Sequence, residues 1–171
     1  MTKAGRNLDW RLMEVADLPS VSLVAAAVHP DFPEDDAIFA ERLSLYPEGC
    51  FVLTDGTAIL GYCLSHPWRS LSIPALDTLL GALPGETTNY YLHDIALLPE
   101  ARSGGAASRV VSGIADNARR NGFATISLVA VNASGGFWER QGFVVQHEAE
   151  LDAKLRSYSD DALFMVRQLN G

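Results

Sequence analysis

Residues 92–111, LHDIALLPEARSGGAASRVV, decide how this chain is read. The first part completes an apolar stretch, YYLHDIALL (90–98), that reads as a strand. The last part opens a helix over residues 105–121, with Val110, Val111, Ile114 and Ala118 at helical spacing on one side and Arg109, Asp116, Asn117 and Arg120 on the other. Between strand and helix stand Ser103, Gly104, Gly105, Ala106, Ala107 and Ser108, none of them bulky, with Arg102 just before them. The first turn of a helix offers backbone N–H groups without internal partners, at the positive end of the helix dipole. A phosphate can therefore be held there by backbone alone, provided that the loop is small enough to let it approach. The run matches neither the Walker pattern nor the G-x-G-x-x-G dinucleotide fingerprint. On residues alone it is either a pyrophosphate cradle beyond a strand end or an ordinary glycine-rich start of a helix.

Downstream, Asn121-Gly122 stops the helix. FATISLVAV (123–131) reads as a nearly continuous apolar strand, SGGFWERQ (134–141) as a short helix, and GFVVQHE (142–148) and DDALFMVRQL (160–169) as strands. Upstream, NLDWRLMEV (7–15) alternates as a half-buried strand. Asp17 caps a helix carrying Val21, Val24, Ala25 and Val28, and HPDFPEDD (29–36) breaks it. Asp35 or Asp36 caps a second helix bearing Ile38, Phe39, Leu43 and Leu45. CFVLTDGTAILGYCLSH (50–66) is a hairpin about Asp55-Gly56. Residues 67–89 form a long connection, rich in Pro, Gly and Ser, with one helix candidate at residues 75–83. A connection of that length in a compact domain is usually functional or mobile. The alternation of strands and helices predicts an α/β (α+β) fold, a mixed twisted sheet with helices on its faces.

The bulk numbers set limits. With 171 residues, 48% hydrophobic and 20% charged, the chain fits one domain, residues 1–171, of an ordinary globular protein. The longest apolar run, residues 23–28, is far too short to span a bilayer. MTKAGRNLDW lacks the apolar core of a signal peptide, and a cytoplasmic location is the expectation. A net charge of −8 argues against nucleic acid or an anionic membrane as partner. Cys50 and Cys63 have no metal-ligand spacing and read as buried thiols, so metal chemistry is not expected. Eight carboxylates and one arginine lie within residues 14–48, against four arginines and one aspartate within residues 102–120. The anionic part of a ligand belongs near the second stretch and a cationic part near the first.

The chain resembles the GNAT superfamily of N-acetyltransferases, whose signature is Arg/Gln-x-x-Gly-x-Gly/Ala between the fourth strand and the helix after it. Arg102 through Ala107 fits that signature. LVAVNASGGFWERQGF is similar to the family's strand, Asn, short helix and Gly-Phe ending, with Asn132, Gly142 and Phe143 at the matching places. The resemblance implies a mostly antiparallel central sheet with helices on both faces, and acetyl-CoA or a related acyl-CoA as cofactor. It puts the pyrophosphate on the amides of Ser103, Gly104, Gly105, Ala106, Ala107 and Ser108 beside Arg102. The pantetheine arm pairs with the backbone of Ile95, Ala96 and Leu97, and Asn132, Phe137, Trp138 and Arg140 complete the cofactor site. Arg109 is a further candidate for the phosphates, and both Arg109 and Arg140 are alternatively solvated surface arginines.

Acyl transfer to an amine needs a neutral amine, a polarised carbonyl and a thiolate able to leave. The resemblance places the oxyanion on a backbone N–H near Leu97, and His93, followed by Asp94, where several members carry a Glu. His93 is then the base, or a structural histidine. Because successive strand residues face opposite sides, only one of His93 and Asp94 is expected to look into the cleft. Trp138 stands where many members have a tyrosine acid, and an indole cannot deliver a proton at neutral pH; Ser134, Tyr90, Tyr91 or water is the substitute. Ser103 replaces the more usual Gly. The acceptor, a small-molecule or protein amine, is expected between the first two helices, the 67–89 connection and the final hairpin. Asp31, Glu34, Asp35 and Asp36 there either steer a cationic amine or form a solvated loop and helix cap. The rival is a non-catalytic acyl-CoA-binding or sensing domain. Exposed sheet edges make a homodimer compatible with either reading.

Overall fold

The computed structural model describes residues 7–169; the opening MTKAGR, part of the run read for a signal peptide, lies outside the described residues. The elements are β1 (Asp9–Leu12), α1 (Leu18–Val28), α2 (Asp36–Leu45), β2 (Cys50–Thr54), β3 (Ile59–Pro67), β4 (Asn89–Leu97), α3 (Ala106–Arg120), β5 (Thr125–Ala130), α4 (Gly135–Arg140), β6 (Val144–Val145), α5 (Asp152–Tyr158) and β7 (Leu163–Gln168). The strands form one seven-stranded sheet in the order β1-β2-β3-β4-β5-β7-β6. Every neighbouring pair is antiparallel except β4 and β5. Among the described residues no helix is long and apolar enough to cross a membrane.

The two faces have separate cores. Val110, Val111, Ile114, Ala115 and Ala118 of α3 and Trp138 of α4 pack on Cys63, Tyr90, Leu92, Ile126 and Leu128. Val21 and Val24 of α1 and Phe39 and Leu43 of α2 pack on Cys50, Val52, Tyr62, Leu64 and Ala96. Burying one such Val, Leu or Ile contributes about 1.5–3 kcal/mol, so both faces are firmly covered. Both cysteines are free and buried, Cys50 with its thiol pushed up to about 12 by burial.

The predicted hairpin forms, and Gly56 takes the positive φ (+93°) that its turn demands. Asp35 caps α2 through Ala37 N–H (2.9 Å). Two sequence expectations are corrected, and a third difference is an element that was not expected. Residues 75–83 are not helical. The segment is instead fastened from outside, since Leu80 N–H and Gly81 N–H both donate to the Glu41 carboxylate of α2 (2.6 and 3.1 Å). The strand expected over residues 142–148 is only two residues long. The third is α5, a helix the apolar pattern did not announce, because among its seven residues Leu155 is the one large aliphatic side chain.

Candidate active site

The site exists because one pair of strands separates. β4 and β5 pair in parallel only at Asn89–Thr125, Tyr90–Ile126 and Tyr91–Ser127. Beyond that point β4 follows β3 as far as Leu97, while β5 follows β7 as far as Ala130. A wedge opens between them. Leu98 N–H bonds Leu60 O (2.8 Å) on the β3 side. Alternate residues of an antiparallel ladder bond the same neighbour, so Ala96 and Asp94 also spend their backbone groups on β3. The N–H and C=O of Ile95 and Leu97 therefore face the wedge. The Leu97 carbonyl confirms this direction by accepting from Arg102 Nε (2.9 Å). Of the three residues expected to meet a pantetheine arm, Ile95 and Leu97 turn their backbone to the wedge, the Leu97 carbonyl already accepting from Arg102, and Ala96 is turned to the α1/α2 core.

At the mouth of the wedge a short turn, Pro99–Gly104, leads into α3. Gly105 takes the left-handed conformation (φ +76°), and no side chain caps the helix. Ser103, Gly104 and Gly105 are exposed, and a side chain on Gly104 would meet nothing within 4 Å. The loop is braced from behind. Trp10 Nε1 donates to Ala106 O (2.8 Å), Gln141 Nε2 to Ser108 Oγ (3.0 Å), and Arg109 Nη1 to Gly104 O (2.8 Å). Arg109 also reaches Leu8 O, so it buttresses the loop, and Arg102 remains the exposed cation beside the amides. Arg140 is exposed on α4. The amides of Ala106, Ala107 and Ser108, with nothing but small residues before them, fit an anionic diphosphate.

The wedge runs into a cavity of about 220 Å³ whose mouth is open to solvent. Leu92, Ile95 and Leu128 form its floor, Asn132, Ser134, Phe137 and Trp138 one wall, and His29, Phe32, Glu34, Leu76 and Tyr158 the other. Asn132 and Ala133 both have positive φ, turning the chain sharply off the end of β5. Trp138 is wedged edge-on between Phe137 and Phe143 and is 6% exposed. Of the tyrosines named from sequence, Tyr90 is bonded to buried Ser65 and Tyr91 is buried, so neither lines the cavity.

Both His93 and Asp94 line this cavity, contrary to the strict alternation expected of a strand. The reason is a β-bulge. Leu64 pairs with Asp94 and Ser65 with Leu92, leaving His93 without a partner on β3. The extra residue shifts the pleat, and His93 and Asp94 both turn to the α1/α2 face. His93 Nε2 is 2.9 Å from Glu34 Oε1, with both side chains almost fully buried. His29 Nε2 lies 2.9 Å from Asp94 Oδ1, off the line of the ring N–H, and Tyr62 OH donates to the same carboxylate. Burial raises the pKa of both acids, yet the histidines outweigh it and hold Glu34 and Asp94 below the usual carboxylate range. Burial alone lowers the pKa of His29, but the Asp94 carboxylate more than offsets this and raises it. Each of the two rings keeps Nδ1 without a hydrogen-bond partner among the described residues.

Sequence reasoning did not find His29 or Tyr158, and saw Glu34 only as part of an acidic run. HPDFPEDD marks a loop but not where the loop lands. Of its acids, Glu34 enters the cavity, Asp35 caps α2, and Asp31 and Asp36 are exposed.

A parallel pair that splays, a backbone edge left open and a small-residue helix start beside it define an α/β fold with a cleft at the strand separation. The sequence model of the acetyltransferase (GNAT) family matches residues 11–143, and the chain belongs to that family. None of the curated proteins is a significant match. Solved structures similar in fold include the GphF GNAT-like decarboxylase in complex with isobutyryl-CoA (TM-score 0.79, 17% identity, 95% of this chain and 100% of that one). Others are the NatC complex bound to Gag peptide and CoA (0.72, 16%, 96% and 99%) and the ribosomal-protein-S18-alanine N-acetyltransferase from Escherichia coli (0.68, 18%, 96% and 96%).

Proposed function

We propose that the protein is an acyl-CoA-dependent N-acyltransferase, with acetyl-CoA as donor and a primary amine as acceptor. One observation carries this: the open backbone edge at Ile95 and Leu97 joins the side-chain-free start of α3 to a cavity that holds two histidine–carboxylate pairs. Acyl-CoA supplies an activated thioester carbonyl there. Ala106, Ala107 and Ser108 N–H and Arg102 hold the diphosphate, and the Ile95 and Leu97 backbone aligns the arm. The Leu97 N–H donates to the carbonyl oxygen as charge develops on it.

His29, paired with Asp94, takes the proton from the amine. Its side chain is 18% exposed, against 2% for His93, which serves as a second, positioning pair with Glu34. A raised pKa suits a base that must remove a proton from an ammonium near pH 7. Without a tyrosine at position 138 the thiolate leaves unprotonated at a cost of about 2 kcal/mol, which slows turnover without preventing it.

The rival, a non-catalytic acyl-CoA-binding domain, is favoured by the packing of Trp138. Thiol release from acetyl-CoA over an amine panel separates the two, with thermal shift reporting donor binding. Amine-dependent release that is lost in His29→Ala supports the enzyme. Binding of acetyl-CoA with no release for any amine supports the rival, and CO2 release from a malonyl thioester without amine would replace transfer by decarboxylation.

A further inference from the structure

We infer that the acceptor is a small primary amine with an apolar body and no carboxylate, taken into a roofed pocket and not presented as a polypeptide terminus. The inference rests on the acyltransferase reading above and narrows it.

The roof is the first argument. Three segments far apart in sequence are joined over the acceptor end. Asp77 N–H donates to Glu34 Oε2 (3.3 Å) and Asp35 N–H to Asp77 Oδ1 (2.6 Å), tying the α1–α2 loop to the 67–89 connection. Tyr158 OH donates to Pro74 O, tying α5 to the same connection, and Ile73 packs with Leu151 and Phe164 beneath that bond. These bonds join segments whose Glu34, Leu76 and Tyr158 line the cavity, so a polypeptide acceptor would have to part them to lie across that side.

Charge is the second. Among the described residues the cavity lining contains two carboxylates, Glu34 and Asp94, and no Lys or Arg. The nearby buried cation, Arg42, is 2% exposed, spends Nη1 on Glu41 (2.9 Å) and does not line the cavity. Each histidine is already set against one carboxylate. A substrate ammonium is welcome in such a site, whereas a substrate carboxylate meets two carboxylates there and finds no Lys or Arg on the lining to pair with. The third argument is the remaining wall: most of it, Phe32, Leu76, Val129, Phe137 and Trp138, is apolar surface for the body of an amine, with Asn132, Ser134 and Tyr158 its polar members.

Phenethylamine and phenylalanine differ only by the carboxylate, and a phenylalanyl tripeptide adds the chain. With acetyl-CoA in excess, phenethylamine is expected to exceed phenylalanine in kcat/KM by about a hundredfold, and the tripeptide by more. Calorimetric titration into the protein saturated with CoA is expected to show heat for phenethylamine alone. Leu76→Arg, which adds a cation to the wall, should cut the discrimination against phenylalanine about tenfold. Equal or preferred use of phenylalanine or of the tripeptide overturns the inference while leaving the acyltransferase reading intact, as does unaltered discrimination in Leu76→Arg. Binding of acetyl-CoA with no release for any amine overturns that reading and the inference with it.

Discussion

At the α3 end of the cavity the recognition surface is backbone: Ile95 and Leu97 along the wedge, then Ala106, Ala107 and Ser108 on small residues contiguous in sequence. At the opposite end it is side chain, with His29, Glu34, His93, Asp94 and Tyr158 arriving from three separate segments and linked by bonds that span tens of residues. Under the proposed function the first end takes any donor with the right phosphates and arm, because amides do not vary from protein to protein. The second can be changed residue by residue without disturbing the first. A common donor and a private acceptor follow from that division.

The division can be broken most severely at the backbone end. Gly104→Glu puts a carboxylate at the positive end of α3 in open space, so folding should be unaffected while the diphosphate is repelled. Saturating acetyl-CoA adds about 2.7 kcal/mol to stability at a hundred times its Kd. The variant should lose that thermal shift entirely and keep the melting temperature of the free protein.

Asp94→Asn tests the other end. It should leave acetyl-CoA binding alone and lower kcat by about a hundredfold. Because Asp94 raises the pKa of His29, the rising limb of the pH–rate profile should also move to lower pH. An unmoved limb would remove His29 as the base and return the role to His93. Smaller still is Tyr158→Phe, which cuts the roof bond to Pro74. The amine KM should rise by several-fold, in line with the ~1 kcal/mol of one hydrogen bond, with donor KM unchanged. Equal changes in both would mean that the two ends are coupled.

The smallest effect concerns stability. His66 is buried, with its pKa lowered to about 3 from 6.5, chiefly by burial. As pH falls from 6.5 to about 3 the unfolded chain takes up a proton that the native ring refuses, so this residue's contribution to stability falls with pH across that window. His66→Asn should flatten the pH dependence of urea unfolding there. The raised pKa of His29 acts in the opposite sense, stabilising below 6.5 and losing its contribution as pH rises through the folded value.

How much of this was legible in the chain follows the same division. The strand–loop–helix unit, the Asp55-Gly56 hairpin and the Asp35 cap were readable because each is a local preference of a few adjacent residues. The bulge at His93 was not, since it is a matter of register between β3 and β4, and no residue type marks it in LHDIALL. The acids of HPDFPEDD are alike in sequence and differ only in where the loop carries them. Tyr158 sits in a helix with almost no apolar stripe, held down by partners 84 residues away.

By itself the sequence determined the family, most of the order of elements and the small-residue start of α3, because such local features act through a few adjacent residues and need nothing distant. Only the tertiary structure decided which side chains meet in the cavity, that His93 and Asp94 share a face, and that the α1–α2 loop, the 67–89 connection and α5 are joined beside it. Those outcomes depend on strand register and on contacts between remote segments, which no local pattern encodes.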